Sequence, residues 1–163
     1  MTISRARITG AVYLLYFVTV IGAVALIGRT PAALSDAANL VANAIYIVVT
    51  LLLCQLFNRV SGNLAALAVV ISVVGCVIQS LSLFHLVPAQ SALPIFGLFN
   101  LTIGILILKS TFLPRGLGVL MALSGLGWLT FLSRDLVEHI SAYVQILGVA
   151  AEGSLMLWLL VRA

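Results

Sequence analysis

Apolar residues run along this chain in long stretches: Ile8 to Gly28, Ala37 to Phe57, Leu64 to Leu86, Pro88 to Leu108, Gly116 to Ser133 and Ala142 to Val161. Each stretch holds about 20 residues, the length a helix needs to cross the hydrocarbon core of a bilayer. The breaks between them are Arg29-Thr30-Pro31, Asn58-Arg59 with Ser61-Gly62-Asn63, Val87-Pro88, Pro114-Arg115-Gly116 and Arg134-Asp135. Each combines charge with a helix breaker or a cap residue. Barrel strands are excluded, because the runs are about twice too long and do not alternate polar with apolar. The pattern predicts an all-α fold: a six-helix transmembrane bundle forming one integral membrane domain over residues 1–163.

Composition agrees, since 63% of the residues are hydrophobic and only 7% are charged, whereas soluble domains carry roughly 25% charged residues. A water-soluble enzyme is excluded, and so few residues remain outside the spans that no extramembrane domain fits. The formal charge of +4 does not indicate nucleic acid, because the basic residues are scattered and form no stripe. They set orientation instead. Arg5, Arg7, Arg59, Lys109, Arg115 and Arg162 fall on one side, and Arg29 and Arg134 on the other. Basic loops are retained on the cytoplasmic side, so both termini are expected in the cytoplasm. The first span exceeds the apolar core of a cleaved leader and reads as an uncleaved anchor. Cys54 and Cys76 differ in expected depth by roughly 13 Å at 1.5 Å of rise per residue, so no disulfide is expected.

Glu152 is the most informative residue, about ten positions into the last span and close to the bilayer midplane. A carboxylate there costs several kcal/mol unless paired or hydrated, so Glu152 is expected to face the bundle interior or a wet cavity. Without an evident cation, the expected state is a neutral carboxyl that donates one hydrogen bond, to Asn100 or Tyr46. Ser141, Gln145, Gly148 and Glu152 are spaced to share one helix face. Asn39, Asn43, Tyr46, Thr50 and Cys54 line one face of the second span, Gly97, Asn100 and Gly104 one face of the fourth, and Thr9, Tyr13 and Tyr16 one face of the first. An intramembrane polar site of Glu152, Gln145, Asn100, Tyr46, Thr50 and Asn43 follows. Polar groups of this kind join helices more often than they line a substrate path. Ala68, Ser72, Cys76 and Ser80 recur every four residues as a small-residue packing ridge, and Gly116, Gly118, Gly125 and Gly127 read likewise. His85 and His139 fall on the outer side without a ligand cluster, so neither metal nor any other cofactor is expected. Trp128 and Trp158 read as interfacial anchors.

The stretches Phe112 to Leu129 (FLPRGLGVLMALSGLGWL) and Ala151 to Leu160 (AEGSLMLWLL), with Arg7 to Leu15 and Asn63 to Ala68, resemble a family of small bacterial membrane proteins, domain of unknown function 4386. The resemblance implies six helices in a bacterial cytoplasmic membrane and no known activity. Many members carry an arginine at the position of Ser72, so a cation that could pair with the sixth-span acid is absent here.

No P-loop, dinucleotide fingerprint, H-E-x-x-H or Ser-centred elbow occurs, which makes an enzyme the least favoured reading. Short loops leave lipid-facing helix surface as the main contact area, so the leading expectation is a small non-enzymatic accessory or interaction subunit. The alternative is a binder or transporter of a small solute or proton centred on Glu152. Expected partners are the lipid bilayer and other membrane subunits or further copies of the chain, with no nucleic acid.

Overall fold

The computed structural model describes residues 3–26 and 32–162, and the described chain is helical almost throughout. Five helices follow one another: α1 (Ile3–Leu26), α2 (Ala32–Leu83), α3 (Leu93–Lys109), α4 (Arg115–Leu129) and α5 (Arg134–Val161). All five are long and apolar enough to cross a membrane, α3 together with the short turn before it and α4 together with the short turn after it. Single 3-10 turns at Ala89–Ala92 and Thr130–Leu132 lead into α3 and out of α4. Arg29 and the Arg29-Thr30-Pro31 break lie outside the described residues.

The count differs from the six helices expected, because the second and third apolar runs belong to one 52-residue element, α2. Ser61 alone departs from helical dihedrals, at φ −162° and ψ 102°. The Ser61-Gly62-Asn63 break is therefore a kink at which two helical limbs join. A straight helix of this length would extend roughly 78 Å, with residues 22 apart separated by about 33 Å. Instead the Thr50 and Ser72 hydroxyls lie 2.8 Å apart, and Asn43 Nδ2 donates to Ser80 Oγ at 3.1 Å. As the first partner of each pair moves back along the chain, the second moves forward. The limbs on either side of Ser61 are therefore antiparallel and side by side.

Other boundaries move as well, most of all in the last helix. The last helix starts at Arg134, eight residues before the expected Ala142, which puts His139 inside α5 rather than in a loop. There its ring Nδ1 lies 2.9 Å from the Asp135 carbonyl oxygen. His85, by contrast, closes α2. Its positive φ of 56° places it in the left-handed region, while its amide donates to Ser82 and the Leu86 amide donates to Leu81. This crossed pair satisfies helix-terminal carbonyls that would otherwise lack donors.

The helices close into a ring in which α1 packs on α2 and α5, α2 on α3, α3 on α4, and α4 on α5. The interior is filled by Tyr13, Val49, Phe57, Phe99, Ile103, Leu106, Met121, Leu155 and Leu159. Outward faces carry exposed Val, Leu and Ile on every helix, among them Val18, Val74, Leu126 and Val149. A monomer in water rarely tolerates so continuous an apolar surface.

The α3–α4 crossing is the tightest contact. A Cβ added at Gly125 would fall 2.6 Å from Leu101 N and 2.7 Å from Gly97 O, and one at Gly104 would fall 2.7 Å from Ala122 N and 2.8 Å from Gly118 O. Glycine pairs at two levels thus let the backbones meet without side chains between them. Gly127 lies against Val144 of α5, whereas Gly116 faces open space. Trp128 is partly buried and lays its indole on Gly148 of α5, so it packs two helices together as well as sitting near one end. Trp158 carries the Arg162 guanidinium over its ring at 5.4 Å.

Candidate functional site

Several serine and threonine hydroxyls in the spans satisfy themselves within their own helix. Thr9 donates to the Arg5 carbonyl, Thr50 to Tyr46, Ser80 to Cys76 and Thr102 to Leu98, each one turn back. A serine or threonine in a helix has this local option. The Asn39 side-chain amide reaches back in the same way, to the Ser35 carbonyl. Groups with more demands than their own helix can meet reach across to another. That distinction sorts the polar residues into three sets.

The first set is centred on Glu152. The Tyr13 hydroxyl of α1 donates to Glu152 Oε2 at 2.7 Å, and the Asn100 amide of α3 donates to Oε1 at 3.1 Å. Asn100 Nδ2 also lies 3.4 Å from Ser124 Oγ of α4. Three helices therefore meet at one carboxyl group, and α4 joins them through Asn100. Tyr13, Asn100 and Ser124 are fully buried, while Glu152 itself is half-buried on the flank of α5. Asn100 Oδ1 is buried and has no hydrogen-bond partner among the described residues. A half-turn of the Asn100 amide exchanges its donor and acceptor ends. With Nδ2 of Asn100 toward Glu152, the site offers two donors to a carboxylate; with the amide turned, it offers an acceptor to a neutral acid.

Tyr46, expected as an acceptor for Glu152, lies beside this cluster but forms no hydrogen bond with the carboxyl among the described residues. It is the hub of an aromatic group, with its ring centroid 4.7 Å from Tyr16, 6.3 Å from Tyr13, and 5.6 Å from both Phe96 and Phe99. Gln145 is exposed, so the structure does not bring it into the polar site. The buried face of α5 runs through Val144, Gly148, Ala151, Leu155 and Leu159. Gln145 and Glu152 both sit on the edge of that face, and Tyr13 of α1 and Asn100 of α3 reach it at Glu152.

The second set stays within α2, where Asn43 meets Ser80 and Thr50 meets Ser72. Ala68, Ser72 and Cys76 are buried and Ser80 is partly so. Through Ser72 and Ser80 their ridge faces the other limb of the same folded helix. Cys54 and Cys76 are both free thiols.

The third set was read from the sequence only as an orientation signal. Arg5, Arg59 and Lys109 line a single cavity of about 790 Å³ at one end of the ring. A smaller hollow of about 320 Å³ lies between the limbs of α2, beside Asn43 and Ser80. Glu152 lines neither.

The Tyr13–Glu152 contact was also missed; helix rise points to it once the ends of α1 and α5 are known to adjoin. Tyr13 is eight residues from Arg5 and Glu152 ten from Arg162, depths of about 12 and 15 Å from their ends at 1.5 Å per residue. Gly10 packs on Leu160, which puts the start of α1 beside the end of α5.

Residues 88–163 match the model of a family described as a domain of unknown function, DUF4386. The resemblance thus rests on α3, α4 and α5, which carry Asn100, Ser124, Glu152 and the glycine crossing. The Arg7–Leu15 and Asn63–Ala68 stretches fall outside the matched residues. No curated protein and no solved structure matches the chain.

Proposed function

We propose that this chain is a multi-pass protein of the bacterial cytoplasmic membrane, one domain in which each limb of α2 makes its own crossing. That gives six crossings, with both termini in the cytoplasm. Its role is non-enzymatic: an accessory or interaction subunit that offers its helix surfaces to other membrane subunits or to further copies of itself. The observation that carries this reading is the setting of Glu152. Its carboxyl is engaged by Tyr13 and Asn100 from two other helices and borders neither cavity. Such a group fastens helices together, as polar side chains within a bilayer commonly do.

One observation favours the second reading, proton or solute binding at Glu152. The Asn100 amide can serve either charge state by turning, and its oxygen has no hydrogen-bond partner among the described residues. What separates the two readings is a water path to the cluster, because transport requires one and a fastening group does not.

The orientation is tested by cysteine labelling of intact cells with a membrane-impermeant reagent. Single cysteines at Ala33 and His139 are expected to react from outside, and those at Asn58 and Lys109 only after the cells are opened. Labelling of Asn58→Cys and Lys109→Cys in intact cells contradicts the orientation.

A further inference from the structure

The basic residues at one end of the ring are more than a topological signal. Six of them lie at this level, and three converge from separate elements on the 790 Å³ cavity: Arg5 of α1, Arg59 near the fold of α2, and Lys109 at the end of α3. Two arginines and a lysine drawn together without a counterion repel one another. The chain's four acids are Asp36, Asp135, Glu138 and Glu152. None of them lines this cavity. Among the described residues, no acid forms a salt bridge with any of the three cations.

The remaining lining is of two kinds. Gln55, Ser110 and Thr111 supply amide and hydroxyl hydrogen-bonding groups, and Ile8, Leu52 and Phe112 supply apolar wall. Ile8 is half exposed on the outer face of α1. The wall therefore continues from the cavity onto the surface that the membrane reading assigns to lipid. The volume falls in the range of small-molecule sites.

We infer that this cavity binds the anionic phosphate headgroup of a glycerophospholipid, with Arg5, Arg59 and Lys109 around the phosphate and the first acyl methylenes along Ile8, Leu52 and Phe112. A phosphate ester is the ligand chemistry that clustered guanidinium and ammonium groups recognise best. Basic pockets between helices at a membrane face are suited to anionic headgroups. The apolar wall distinguishes a lipid from a free anion, because inorganic phosphate would leave Phe112 and its neighbours uncovered. The site depends on the membrane reading but not on what Glu152 does.

The test is lipid retention by native mass spectrometry, after purification from nanodiscs containing equal amounts of phosphatidylglycerol and phosphatidylcholine. The wild type is expected to keep phosphatidylglycerol preferentially. Arg59→Gln and Lys109→Gln are each expected to reduce that preference roughly five-fold, the effect of about one basic residue at a membrane surface. Arg7→Gln, at the same level but outside the cavity, should leave it unchanged. Gln55→Glu places an acid in the cavity while keeping the side chain's shape, and should abolish the preference while the protein still melts like the wild type. Absence of a preference in the wild type overturns the inference, as does an equal loss in Arg7→Gln. Displacement of the lipid by millimolar inorganic phosphate would assign the cavity to a soluble anion and overturn the lipid source. If the membrane reading itself were wrong, the protein would be monodisperse without detergent or lipid, an outcome distinct from each of these.

Discussion

Alanine at Gly125 is expected to destabilise the bundle by about 1–3 kcal/mol, the usual cost of forcing extra volume into a packed interface. The new methyl carbon would lie 2.6 Å from Leu101 N and 2.7 Å from Gly97 O. Both are backbone atoms, so no side chain can swing aside. The clash is relieved only by moving α3 and α4 apart, which loosens the Gly104–Gly118 contact as well. Gly104→Ala is expected to act in the same direction for the same reason. Gly153→Ala is the control, since a methyl group there meets nothing within 4 Å. Its effect is expected to stay within about 0.5 kcal/mol. Denaturation of the purified variants in mixed micelles reads the difference. Equal tolerance at Gly125 and Gly153 would contradict the close crossing.

Glu152→Leu is expected to cost roughly 1–3 kcal/mol, because it strands the Tyr13 hydroxyl and the Asn100 amide in an apolar interior. The figure lies below the full desolvation penalty of two buried donors. Helices separated within a bilayer find other partners for these groups, so each wild-type hydrogen bond contributes only about 0.6–2 kcal/mol net. Glu152→Gln keeps the shape and an acceptor oxygen for Tyr13, and its amide nitrogen can donate to Asn100 once that side chain turns. It is expected to change stability by less than about 0.5 kcal/mol. The same denaturation series distinguishes the two variants. A glutamine variant as unstable as the leucine variant would mean that the site needs the acid itself rather than its hydrogen bonds.

The helical, bilayer-like character was legible because it depends on run length and composition, which survive any detail of packing. The fold of α2 was legible only as a break. Ser61-Gly62-Asn63 carries the residues of a helix end, and the helical dihedrals do break there, at Ser61, but that the two limbs then lie side by side follows only from the contacts between them. Asn100 was legible as a partner of Glu152 because an amide at mid-depth must find another polar group. Gln145 looked equivalent by helical phase, but whether a flanking residue is covered depends on where neighbouring helices end. Arg5, Arg59 and Lys109 were counted for their side of the membrane, and their convergence depends on which helices adjoin in the ring. The glycines were legible as packing residues but not as pairs, since pairing needs the register of α3 against α4.

The central claim is that the Glu152 cluster is a dry fastening point rather than part of a path through the membrane. Ser124 is fully buried at that cluster, and Ser124→Cys changes a single atom. The direct measurement is the reactivity of this cysteine, in a background of Cys54→Ala and Cys76→Ala, with a membrane-impermeant thiol reagent applied to each face of reconstituted vesicles. Cysteines at Ala33 and Asn58, both exposed, serve as reactive controls for the two faces. The account predicts no labelling of Ser124→Cys from either face and full labelling after denaturation. Labelling of the folded protein from one face would reveal a water path to Glu152 and contradict the account in favour of transport.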